Sequence, residues 1–149
     1  MSPRWTWRLA AVHAAATLYM TGLIWFVQVV HYPLLAAVGP TGFAAYEQSH
    51  RSRTTLVVAP PMAIEGAAAV LLFVLRPASV PAWQLLAGTG LLAVVWASTA
   101  FVQVPCHEAL SQGFDPVVHE RLVGTNWLRT AAWTLRGALA LAMLRRAAA

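Results

Sequence analysis

Imidazole, guanidinium and amide groups recur along this chain at spacings that a helix turns into stripes. His119, Asn126, Arg129, Trp133 and Arg136 follow one another at steps of 7, 3, 4 and 3. At about 100° per residue they occupy a band about 100° wide. His13 and His31 stand 18 residues apart, a whole number of turns, and share a face with one another. Thr89, Trp96, Gln103 and His107 make a further stripe, and Tyr46, His50, Arg53 and Glu65 belong to another segment. Imidazoles and a carboxylate are common metal ligands, which makes His31, His50, His107 and His119 candidates for a metal. Two facing histidines also suit a haem. The alternative for each polar residue is a hydrogen bond that fastens one helix to the next. That reading is preferred for His13. Arg129 and Arg136 bracket the depth of Glu65, and Glu65 with Arg136 is expected to form a structural ion pair, the alternative being a proton relay or substrate clamp.

The segments that must position these groups are apolar. Of 149 residues 59% are hydrophobic and 10% charged, against about 25% charged in an ordinary soluble domain. Ten arginines, no lysine and five acids give a net charge of +5. The apolar runs nevertheless argue against a nucleic-acid partner and for a lipid bilayer. A lone cysteine, Cys106, rules out an internal disulfide and reads as a small apolar filler. Four runs are long enough to cross a membrane: 9–31, 54–75, 84–104 and 122–144. The expected fold is therefore all-α, an integral membrane four-helix bundle in one domain. A kink is expected at Pro60-Pro61, where two backbone donors are missing. Asp115-Pro116 reads as the start of the fourth helix, and Pro40-Thr41 as that of the second. The turns beyond the bilayer would form a crown on the outer face.

The chain repeats itself. Phe26-Val27-Gln28-Val29 recurs as Phe101-Val102-Gln103-Val104, followed in each half by Gly-Phe, a histidine and Arg-Thr. We read two helical hairpins, about 9–75 and 84–144, related by an axis along the membrane normal. Such an axis brings Gln28, His31 and His50 near Gln103, His107 and His119 around one cavity, with Gln28 and Gln103 available to a ligand. Arg4, Arg8, Arg76, Arg145 and Arg146 lie on the side of the termini, against Arg51, Arg53 and Arg121 on the other. That bias puts both termini in the cytoplasm. Alanine and arginine richness without lysine points to a bacterial inner membrane.

The block Val104-Pro105 to Trp133 resembles the small four-helix membrane proteins grouped with anthrone oxygenases, carried by Val104-Pro105, Asn126, Trp127, Arg129 and Thr130. It departs from them at Cys106-His107-Glu108, where they often have asparagines. The resemblance implies oxygenation of an electron-rich polycyclic phenol without an obvious cofactor. It makes His107 or His119 the base, Asn126 and Arg129 the donors to an oxyanion, and Trp127 and Trp133 the surfaces on which a flat ring stacks. The competing expectation is a non-enzymatic bundle that binds a lipid, quinone, metal or haem, or an accessory subunit of a membrane complex. Either role is compatible with a homo-oligomer.

Overall fold

A computed structural model describes residues 2–148. Four helices, α1 (Pro3–Leu35), α2 (Phe43–Leu75), α3 (Ala82–Leu110) and α4 (Pro116–Ala148), form an antiparallel bundle. Among the described residues there is no strand. The first three are long and apolar enough to cross a membrane. Their outer surfaces expose large apolar side chains, among them Leu56, Val74 and Phe101. An apolar exterior of this extent marks a membrane protein rather than a water-facing one. α4 carries more charge, but Arg129 and Arg136 turn into the bundle while Leu128 and Leu135 face outwards. Around the ring, α1 contacts α2 and α4, and α3 contacts α4 and α2. The two ends of the chain lie together, with Pro3, Arg4, Trp7 and Arg8 sharing a groove with Ala147 and Ala148.

Each helix exceeds the length expected from hydropathy. At 33 residues, α1 and α2 measure about 50 Å, well beyond the hydrocarbon thickness. On α2, α3 and α4 most of the surplus forms a crown at the end away from the termini, while α1 also extends over 3–8 at the terminal end. Asp115 caps α4, its Oδ1 accepting from the amides of Val117 (2.8 Å) and Val118 (3.1 Å). α2 starts later than Pro40-Thr41 suggests, because Gly42 takes a left-handed conformation (φ 90°) just before Phe43. α2 stays helical through Pro60 and Pro61.

The departures from regular α-helix lie instead at the repeated words. Val27–His31 and Thr99–Gln103 each form a π-turn. The amide of Tyr32 bonds to the carbonyl of Val27, and that of Val104 to Thr99, five residues back in both cases. Each π-turn ends two residues before a proline, Pro33 or Pro105. Proline cannot donate to the carbonyl four residues back and its ring crowds that carbonyl. Widening the preceding turn lets the helix continue past it. That is why α1 and α3 run beyond His31 and Val104, the ends read from sequence.

Polar layers hold the helices together. In the half nearer the termini, Arg136 pairs with Glu65 through Nε (2.8 Å) and Nη2 (2.8 Å). The Trp133 indole donates to the other Glu65 oxygen (3.1 Å), and Arg136 Nη1 donates to the Gly88 carbonyl. Glu65 and Arg136 are fully buried, so four helix faces converge here, His13 of α1 included, 3.4 Å from Arg136 Nη2. Nearby, Gly137 lets α1 approach α4: a Cβ there would meet Thr21 Oγ1 at 3.2 Å. Removing one partner leaves the other charge stranded. Glu65→Ala or Arg136→Ala is expected to cost about 3–5 kcal/mol. The pair Glu65→Leu with Arg136→Met should recover much of it, measured by denaturant titration in detergent.

Candidate functional site

A cavity of about 650 Å³ opens between α2 and α3, backed by α1 and α4. It exists because the facing residues are small. Thr55, Ala59 and Ala63 on α2 oppose Thr99 and Ala100 on α3 and leave the space between the helices unfilled. Met20, Ile24, Met62 and Trp96 make its walls apolar, whereas Tyr32, His50, His107 and Arg129 gather at the crown end.

The polar end is built on a chain of contacts. The Glu47 carboxylate, fully buried, lies 2.5 Å from His107 Nδ1. His107 Nε2 is 3.0 Å from the Tyr32 hydroxyl. A carboxylate only accepts, so Nδ1 carries the proton and Nε2 is left to accept from tyrosine. The other Glu47 oxygen has no partner. His50 approaches from α2, its ring centre 5.2 Å from that of His107. Its Nδ1 meets His31 Nε2 (2.9 Å) and Thr54 Oγ1 (3.0 Å). Arg129 is buried with its guanidinium over the Trp133 ring (5.2 Å), and its Nε is unpartnered. Across the crown, Arg51 reaches Glu108, an exposed pair of small energetic weight.

The structure brings together some of the expected residues and separates others. His31, His50 and His107 converge. His119 does not join them: its Nε2 donates to the Tyr32 backbone carbonyl (2.8 Å), outside the Glu47, His50 and His107 group. Gln28 and Asn126 face each other away from the cavity, the Asn126 amide donating to Gln28 Oε1 (2.8 Å) and Gln28 donating to the Val123 carbonyl (3.2 Å). Lipid offers these amides no partner, so they bond to each other, and Asn126 Oδ1 stays without one. Gln103 does line the cavity, though its amide is engaged by Ser98 (2.9 Å) and Thr125 (3.1 Å). Trp127 lies on the outside, half exposed and edge-on to Trp25 at 5.7 Å, with no access to a ring in the cavity. Trp133 is fully buried and spends its N–H on Glu65. The tryptophan that does line the cavity is Trp96. Cys106 is buried among apolar side chains.

Sequence reasoning overlooks Glu47 and Tyr32. A signal for the first was available: Glu47-Gln48-Ser49-His50 puts a carboxylate and an imidazole one turn apart on the same helix. Tyr32 had none, because its place depends on the π-turn before Pro33. No protein-family model, curated protein or solved structure matches this chain.

Gln28 and Asn126 yield a test of their role. Either residue changed singly to leucine leaves a buried amide unpaired and should cost about 1–3 kcal/mol. The double leucine variant should be less destabilised than the sum, with ligand binding intact, as read from unfolding and binding titrations in detergent.

Proposed function

We propose that the protein is a membrane oxidoreductase of the oxygenase type, taking a small, flat, hydrophobic phenol or quinone-like molecule into the cavity between α2 and α3. The observation that carries this reading is Arg129, a buried guanidinium with an unpartnered Nε at the end of an apolar cavity. A buried cation without a carboxylate is costly, and an anionic oxygen on a bound ligand would offset that cost. Apolar walls with a few convergent polar groups suit such a molecule. Trp96 offers the aromatic surface.

The chemistry fits an anthrone-type substrate, in keeping with the sequence resemblance. Glu47 orients His107, His107 accepts the Tyr32 proton, and the Tyr32 oxygen takes a proton from the substrate. Arg129 holds the resulting oxyanion in a site from which water is largely excluded. Dioxygen is the oxidant. The substrate methylene loses two hydrogens and gains one oxygen to become a carbonyl, and the second oxygen atom leaves as water. The second reading, a quinone- or lipid-binding bundle without turnover or an accessory subunit, rests on the same apolar walls and needs no Glu47–His107–Tyr32 chain.

The resemblance between hairpins supports descent from a duplicated hairpin, since a proline-linked π-turn accompanies each copy of the repeated word. Alanine and arginine richness without lysine supports a bacterial inner membrane, and the arginine bias supports cytoplasmic termini and hence a cavity whose polar end lies towards the outer face. Purified protein given an anthrone under oxygen should form the quinone. Arg129→Ala and His107→Ala should each slow it about 100-fold or more. Trp127→Ala should match the wild type. Equal rates in all four would refute the oxygenase reading.

A further inference from the structure

We infer that Glu47, His50 and His107 bind one divalent first-row transition metal, of the zinc or iron(II) class, with its open coordination positions facing the cavity. One carboxylate oxygen and one ring nitrogen from each histidine lie within 4.8 Å of one another. Donors sharing a tetrahedral metal at about 2.1 Å stand about 3.4 Å apart, so the widest pair must close by up to about 1.4 Å while Glu47 and His107, now 2.5 Å apart, separate. The independent observation is Glu47 Oε2, a fully buried carboxylate oxygen with no hydrogen-bond donor. Its neighbour His107 occupies one oxygen only. A cation answers the charge that the protein leaves uncompensated.

The surroundings suit ligation. With the metal on His107 Nδ1, the proton now held between Glu47 and His107 departs, and His107 Nε2–H donates to Tyr32. With the metal on His50 Nε2, its Nδ1–H donates to His31 or Thr54. Both ring orientations are therefore fixed by outer partners already in place. Two imidazoles and one carboxylate leave positions vacant on a metal, as open sites for reactive ligands do. His50 and His107 both line the cavity, so those positions meet whatever it holds. Metal binding stands on these ligands alone. Its part in turnover rests on the cavity being a substrate site: a metal-bound water would then replace His107 as the base.

Protein in detergent, stripped with a chelator, is titrated with Zn2+ by calorimetry and with Co2+ by visible absorption. One ion per chain is expected, with Co2+ bands of nitrogen and oxygen ligation. Glu47→Gln and His50→Ala should weaken binding at least about tenfold, and His31→Ala about tenfold through loss of orientation. Glu108→Gln, the exposed neighbouring carboxylate, should leave it unchanged. Absence of saturable binding in the wild type, or undiminished binding in a folded Glu47→Gln variant, overturns the inference. If that variant does not fold, the wild-type Co2+ spectrum and His50→Ala decide. Anthrone turnover by metal-free protein that binds no metal would overturn the metal site and leave the oxygenase reading standing. Stoichiometric metal without turnover would do the reverse.

Discussion

Hydrocarbon offers no hydrogen-bond partner, and this constraint organises the bundle. Polar side chains on the membrane-spanning helices turn inwards and bind one another at successive depths. Near the termini the layer is Glu65, Arg136, Trp133 and the Gly88 carbonyl. Further along it is Gln28 with Asn126, and Gln103 with Ser98 and Thr125. At the crown it is Glu47, His107 and Tyr32, with His31, His50 and Thr54 beside them. In the first layer the charges are matched, and in the second the groups left over, such as Asn126 Oδ1, are uncharged. The third differs. Of the unpartnered buried atoms, two belong to formally charged groups, Glu47 Oε2 and Arg129 Nε, and both lie at or behind the polar end of the cavity.

That contrast separates glue from site. A residue whose hydrogen bonds are all met within the protein contributes to assembly, whatever its chemical type. Gln28, His119 and Trp133 have reactive or stacking side chains and yet bond within the protein, and Asn126 does so through its amide nitrogen while its Oδ1 has no partner. Glu47 and Arg129 each keep one buried charged-group atom without a partner. The cavity has Arg129 in its lining, with small residues on α2 and α3 keeping it open.

Much of the architecture is legible in the sequence. Hydropathy marks four helices, the Asp115-Pro116 pair marks the start of α4, and helix rise sets Glu65 at a depth bracketed by Arg129 and Arg136. The repeated word marks where α1 and α3 widen into π-turns. What escapes is where the helices end and which polar groups face a void. Pro33 and Pro105 look like terminators because a proline lacks a donor, but a π-turn absorbs the loss and carries Tyr32 and His107 inwards. Trp127 and Trp133 look equally able to stack on a ligand. Only packing decides that one faces outwards and the other fills the core. A stripe on one helix gives a direction, not a partner. Glu47 was the legible exception, being one turn from His50.

The most direct measurement is equilibrium binding of an anthrone or hydroxylated quinone to the purified protein in nanodiscs, compared between wild type and Ala63→Trp. Ala63 lines the cavity midway along α2, and an indole there fills the space a ligand needs without touching Glu47, His107 or Arg129. The account predicts one ligand per chain in the wild type and no saturable binding in the variant. Equal affinity in both, with the variant folded, would contradict it.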